Sequence, residues 1–213
     1  MCKNSFPFDG LIFDLDGTLW DAAKNCAAAW NEVLTEHGYS QRLTEDNARS
    51  LSGIKIEIMF PQYFSFVPKT HYEVFFESYK NKESHIMKRM GGKLYPNVLE
   101  TLQILNRKTK LFIVSNCLDG YIENFINFNN FRNLFSDYIS AGKTSLEKQE
   151  NLKLIIERNQ IKNPIFIGDT IGDYNAAIFN RIPFIYASYG FGNVTKFTFK
   201  IDSFADLLNI LEK

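Results

Sequence analysis

Three short apolar runs set the limits on what this chain can fold into. Leu11-Ile12-Phe13, Leu111-Phe112-Ile113-Val114 and Ile165-Phe166-Ile167 contain no polar residue, and each stops at small or acidic residues: Asp14, Ser115-Asn116 and Gly168-Asp169. A strand with one wet face alternates apolar and polar side chains. An unbroken run is apolar on both faces, which suits a strand covered on both sides in a parallel sheet. Phe184-Ile185-Tyr186 adds a fourth such run, and Tyr138-Ile139 is a shorter candidate. Between the runs, apolar residues return at helical spacing: Val98, Leu99, Leu102 and Leu105; the stretch 121–128; Leu152, Ile155 and Ile156; Ala176, Ala177 and Phe179; and 204–211. Strand and helix therefore alternate from about residue 95 onward. That is the pattern of an α/β chain with a Rossmann-like, doubly wound parallel sheet.

Residues 20–90 break the alternation and carry almost no strand signal. Asp21 can cap a helix whose apolar side is Ala22, Cys26, Ala29, Trp30, Val33 and Leu34, stopping near His37-Gly38. Thr44 can cap a second helix that ends around Ser52-Gly53, and Pro61 and Pro68 break the segment that follows. Tyr72, Phe75, Phe76, Tyr79, Ile86, Met87 and Met90 mark a long helix that Gly91-Gly92 ends. The expected organisation is a core of residues 1–19 and 91–213 interrupted by a small α-helical cap domain, residues 20–90.

Charge and composition narrow the functional class. With 24 Lys plus Arg against 24 Asp plus Glu, the chain lacks the basic excess of a general nucleic-acid binder. No apolar stretch approaches the length of a membrane span. The start, Met1-Cys2-Lys3-Asn4-Ser5-Phe6, lacks the apolar run of a secretory signal, so a cytoplasmic location is expected. Cys2, Cys26 and Cys117 are few, odd in number and without metal-ligand spacing, as reduced thiols would be.

Ligands of open parallel sheets bind beyond the carboxyl ends of the strands. Here those ends carry Asp14-Leu15-Asp16-Gly17-Thr18, Ser115-Asn116 and Gly168-Asp169-Thr170-Ile171-Gly172-Asp173. Asp14 and Asp16, two apart in an extended segment, point to one side. Carboxylates gathered this closely repel one another unless a cation or a shared proton intervenes. A hard cation with oxygen ligands, most naturally Mg²⁺, satisfies Asp14, Asp16, Asp169 and Asp173, and neutralising phosphate oxygens is a common role of that ion. By contrast Asp9-Gly10, just before the first run, reads as a plain turn.

These motifs resemble those of the haloacid dehalogenase superfamily, most closely its phosphoglycolate phosphatase-like members with a helical cap after the first strand. Phe13-Asp14-Leu15-Asp16-Gly17-Thr18-Leu19 is similar to the first motif, Ser115-Asn116 to the second, and residues 168–173 to the fourth. The third is a lysine. Lys143 and Lys148 both qualify and neither precedes a proline as in many relatives; Lys148, at the start of the helix bearing Leu152, is favoured, with Lys143 expected in a loop. The resemblance implies a Mg²⁺-dependent phosphatase acting on a small phosphate ester through an aspartyl phosphate. It makes Asp14 the nucleophile and Asp16 the general acid and then base, with the Asp16 backbone carbonyl also on the metal. Ser115, Asn116 and Lys148 would bind phosphate; Asp169 would ligate the metal and Asp173 would act through a metal-bound water or by orienting neighbours. Gly17 and Thr18 would shape the turn and offer backbone N–H groups to phosphate.

Secondary candidates are weaker. Gly53 and Lys55 fall where relatives carry a cap loop facing the site, and residues 188–192 could line its entrance. His37, His71 and His85 read as surface residues of the cap, and the Tyr72-Phe75-Phe76-Tyr79 stripe as cap core. A phosphomutase of the beta-phosphoglucomutase type is the nearest rival, against which Thr18 leans because such mutases often have Val there. A dehalogenase needs neither Asp16 nor a metal, and a non-enzymatic phosphate-binding module need not keep every motif residue. A monomer or weak homo-oligomer is expected.

Overall fold

The computed structural model of the chain describes residues 7–54 and 56–211. The start read above for a leader, Cys2 and Lys55 lie outside the described residues.

The chain opens with β1 (Gly10–Phe13) and a two-residue strand β2 (Trp20–Asp21). Four helices follow: α1 (Ala23–Glu36), α2 (Glu45–Leu51), α3 (Ile56–Tyr63) and, after a single 3-10 turn, α4 (Tyr72–Met90). The short β3 (Lys93–Leu94) then leads to α5 (Val98–Asn106), β4 (Lys110–Ser115), α6 (Tyr121–Phe128), β5 (Asp137–Ser140), α7 (Ala141–Thr144) and α8 (Lys148–Arg158). The chain closes with β6 (Pro164–Gly168), α9 (Ile171–Phe179), β7 (Phe184–Ala187), β8 (Phe199–Ile201) and α10 (Asp206–Leu211).

Six strands form one sheet in the order β5-β4-β1-β6-β7-β8, and every neighbouring pair is parallel. The unbroken apolar runs are its centre. Leu11, Phe13, Leu111, Ile113, Ile165 and Ile167 pack on one face with residues of α5, α6 and α10, while Ile12, Phe112, Val114 and Phe166 pack on the other with α8 and α9. From β1 the chain runs out to β4 and β5 on one side, then crosses to β6, β7 and β8 on the other. This reversal opens a crevice at the carboxyl end of β1.

The helices α1–α4 carry their own apolar core. Trp30 stacks on Tyr79 at 3.9 Å with the rings 9° apart, and Phe60 and Phe64 close round it. Thr44 caps α2 through a reciprocal box with Asn47, as the sequence suggested; the N-cap of α1 is Ala22, one residue after the expected Asp21, whose Oδ1 accepts the Ala23 N–H instead.

Three features differ from the sequence reading. Pro61 lies inside α3 instead of ending a helix. It removes one intrahelical hydrogen bond, and burial of Met59, Phe60 and Phe64 against Trp30 offsets that loss. β2 and β3 pair as an antiparallel ribbon, Trp20 opposite Leu94, so the two connections to the helical segment run side by side. Lys143 sits in the short helix α7 and not in a loop.

Because Trp30 is 2% exposed and stacked, Trp30→Ala should cost about 3–5 kcal/mol in a urea unfolding experiment. A loss below about 1 kcal/mol would contradict the packing described.

Candidate active site

Sheet register brings the site together. Phe13 is level with Ile113 of β4 and Ile167 of β6, and the Asp14 N–H continues the ladder to Ile167 O at 2.8 Å. Asp14, Ser115 and Asp169 therefore leave three adjacent strands at one edge.

After Asp14 the chain turns sharply. The Leu15 carbonyl accepts from the N–H groups of Thr18, Leu19 and Trp20, and Gly17 takes φ +88°. A side chain at Gly17 would run into the Asp169 carboxylate. The turn consumes two donors that the sequence reading assigned to phosphate: Gly17 N–H donates to Trp20 O at 2.9 Å and Thr18 N–H to Leu15 O at 3.2 Å. The Leu15 and Asp16 N–H groups make no hydrogen bond among the described residues, so they are the donors this turn leaves available.

Asp169 is held from two sides. Thr18 Oγ1 donates to Oδ1 at 3.0 Å and the Phe191 N–H to Oδ2 at 2.7 Å. The second contact comes from the loop after β7, where Gly190 packs so close to Asp169 that a Cβ would overlap it. Asp173 shares a capping box with Thr170 at the start of α9: its Oδ2 accepts from Thr170 Oγ1 at 2.6 Å and from Thr170 N–H at 2.9 Å.

Lys148, the first residue of α8, reaches into this cluster. Its Nζ donates to Asp14 Oδ1 at 2.7 Å and to Asp173 Oδ1 at 2.6 Å. Lys143 makes no hydrogen bond or ion pair among the described residues. Both Asp173 oxygens are thus engaged, whereas Asp14 Oδ2 has no partner among the described residues.

Ser115 is buried at the end of β4, its Oγ accepting the Cys117 N–H at 3.3 Å, which leaves its hydroxyl hydrogen to donate. Asn116 Nδ2 lies 3.5 Å from Gly53 O, so the glycine-containing loop after α2 does face the site. The carboxylate of Asp16 stands apart from the cluster and accepts a hydrogen bond from Tyr121 OH at 2.8 Å.

Without a cation the carboxyls of Asp14, Asp169 and Asp16 resist ionisation. Burial pushes Asp14 up to about 8, with Asp173 adding to the rise and Lys148 opposing it. Burial, then Asp173, pushes Asp169 to about 7, while the Phe191 N–H and Thr18 favour its charge. Burial likewise raises Asp16 to about 7 against the Tyr121 hydrogen bond. Burial works against the charge of Lys148 as well, but Asp14 and Asp173 more than offset it and hold the ammonium.

Carboxylate oxygens of Asp14, Asp169 and Asp173 lie within 4.8 Å of one another, all buried. Opposite ligands of a Mg²⁺ ion stand about 4 Å apart. Three desolvated carboxylates facing one ammonium suit a hard divalent cation in size, donor type and charge.

Sequence reasoning missed Tyr121 and Glu83 and gave Thr18 and the loop of Phe191 other roles. Thr18 acts through its hydroxyl on Asp169, and Phe191 through its backbone. Tyr121 looked like one more apolar position of α6. Glu83 is buried on α4, where Tyr79 OH donates to its Oε1 at 2.6 Å. Its position four residues after Tyr79 and three before Ile86, a charge on the apolar stripe, was the signal that could have found it.

Asp14, Asp16 and Asp169 have folded-state pKa values above their unfolded ones. Their contribution to stability is complete below about pH 4 and is lost as pH rises toward 7–8, where the unfolded chain ionises freely and the folded chain does not. In EDTA, urea unfolding should therefore show lower stability at pH 8 than at pH 5. Excess Mg²⁺ should restore stability most at pH 8. A pH-independent metal effect would contradict this electrostatic picture.

Comparison with known proteins agrees with the geometry. Residues 11–187 match the family model for haloacid dehalogenase-like hydrolases. Among curated proteins, a phosphoglycolate phosphatase of Aquifex aeolicus is 28% identical over 172 residues, 78% of each chain. One from Psychrobacter arcticus is 28% identical over 204 residues, covering 85% of this chain and 84% of the relative. A haloacid dehalogenase-like family hydrolase from Streptococcus pneumoniae superposes with a TM-score of 0.84 over 96% of this chain and 98% of its own, at 18% identity. The chain belongs to the haloacid dehalogenase-like hydrolase family.

Proposed function

We propose that this phosphatase of the haloacid dehalogenase family hydrolyses a small phosphorylated metabolite in two steps, through an aspartyl phosphate on Asp14, with Mg²⁺ as its cofactor. The observation that carries the reading is the buried cluster in which Lys148 ties Asp14 to Asp173 while one Asp14 oxygen stays open beside Asp169.

Asp14 Oδ2 attacks phosphorus, and the bond to the leaving oxygen breaks. Lys148 fixes the carboxylate through Oδ1 and brings positive charge to the incoming phosphate. Ser115, Asn116 and the Leu15 and Asp16 N–H groups donate to the phosphate oxygens. Asp16 gives its proton to the leaving oxygen; burial keeps that proton available near neutral pH, and Tyr121 fixes the carboxyl. The resulting Asp16 carboxylate then takes a proton from the water that attacks the aspartyl phosphate, and Asp14 is released with inorganic phosphate.

Asp14, the Asp16 backbone carbonyl and Asp169 would hold Mg²⁺, with Asp173 orienting Lys148 and Thr170. When bound, the ion supplies the positive charge that lets a carboxylate approach a phosphate dianion. We take residues 20–90 as the cap that excludes water from a core of 1–19 and 91–213. In keeping with its free cysteines, we place the enzyme in the cytoplasm, as a monomer or weak homo-oligomer. No described helix is long and apolar enough to cross a membrane.

Phosphate release from a panel of small esters with Mg²⁺ tests the reading. Asp14→Asn should abolish release and EDTA should do the same. Asp16→Asn should slow turnover about 10²–10⁴-fold and let acid-stable protein-bound phosphate build up. Full activity in Asp14→Asn would contradict the reading.

A further inference from the structure

Between the helical segment and the sheet edge lies a cavity of about 130 Å³, with Asp16, Cys26, Trp30, Gly53, Tyr79 and Glu83 among its lining residues. A cavity of about 150 Å³ holds a benzene molecule, so this one admits a group of up to about six non-hydrogen atoms. Asp16 stands in its wall. A group whose oxygen is protonated by Asp16 therefore extends into this space.

We propose that the cavity receives the leaving group of the ester, and that this group is a short uncharged alcohol whose free hydroxyl hydrogen-bonds to Glu83. The inference rests on the phosphatase reading above and adds the substrate class.

Among the described residues, no Lys, Arg or His lines the cavity. Arg49, whose guanidinium lies 6.0 Å from the centre of the lining Phe191 ring, is bound to Asp21, Glu45 and Asp46. Lys80, which borders the neighbouring groove, is paired with Glu77. A carboxylate in the cavity would thus find no cation among the described residues to balance it, at a high desolvation cost.

Glu83 itself supplies the recognition. It is 6% exposed, Tyr79 OH occupies Oε1, and Oε2 makes no hydrogen bond among the described residues. Burial pushes its carboxyl to about 8 against the Tyr79 hydrogen bond, so at neutral pH it is a neutral group that both donates and accepts. Such a group matches a hydroxyl and offers no charge to an ammonium. The rest of the wall is largely apolar and aromatic, which suits a short carbon chain.

Three esters of nearly equal size separate the possibilities: 2-hydroxyethyl phosphate, 2-aminoethyl phosphate and 2-phosphoglycolate, whose tails are neutral, cationic and anionic. Steady-state phosphate release with Mg²⁺ should give 2-hydroxyethyl phosphate a kcat/KM at least about tenfold above either charged ester. Glu83→Leu should raise its KM about tenfold with little change in kcat, and Glu83→Gln should recover most of the loss. Equal or better turnover of a charged ester overturns the inference and leaves the phosphatase reading standing. So does a preference for 2-phosphoglycolate that Lys55→Ala removes. A Glu83→Leu effect that is the same for all three esters overturns the role given to Glu83. If none of the esters, nor any in the wider panel, releases phosphate above the Asp14→Asn control, the phosphatase reading fails and takes this inference with it.

Discussion

The contact on which the site depends is the buried ammonium of Lys148 between Asp14 and Asp173. Moving any of these three charges out of water is costly, and removing one partner leaves the others uncompensated, with typical losses of about 3–5 kcal/mol. The cluster therefore demands a scaffold that delivers its members at fixed positions. An all-parallel sheet does so because every carboxyl end lies at one edge, and because its middle strand carries Asp14 between Ser115 on one neighbour and Asp169 on the other. The tight turn at Gly17 and the close approach of Gly190 then leave room for Asp169, which Thr18 and the Phe191 N–H fix in place.

The helical segment answers to a different constraint. Its core is built round Trp30 and stands apart from the sheet's two apolar layers. Where it meets the sheet edge at the front, Asn116 reaches Gly53, Leu118 packs on the Trp30 core and Arg49 lies over the Phe191 ring. Arg49 is about one-third exposed, so its ion pairs guide the approach of α2 more than they hold it. At the back, Met87 and Trp20 join the larger core, and the β2–β3 ribbon pairs the two connections. The cap proposed for residues 20–90 would close over the site along this seam.

Much of this architecture could be read from the residues. Unbroken apolar runs ending in Asp14, Ser115 and Asp169 located the central strands and the edge where they deliver polar groups. The helix cap at Thr44 was equally legible, since a capping side chain acts within three residues of itself, whereas the cap at Thr170 emerged only in the structure. What escaped depended on partners distant in sequence. β8 is only three residues long and borrows its order from β7. Pro61 argued for a break that burial against Trp30 overrode. Tyr121 reaches Asp16 across 105 positions, and Phe191 acts through a backbone N–H that no side-chain pattern reports. The choice of Lys148 over Lys143 followed from resemblance; in the structure Lys148 opens α8 and its Nζ donates to Asp14 and Asp173.

The central claim is that Asp14 carries the phosphoryl group between the two steps. Sodium borohydride reduces an acyl phosphate to an alcohol, so quenching the enzyme with it during turnover converts the phosphorylated aspartate to homoserine, which peptide mass mapping locates. The account predicts conversion at Asp14, only with Mg²⁺ and a hydrolysable ester present. Steady phosphate release with Asp14 unmodified, or with conversion at another carboxylate, would contradict it.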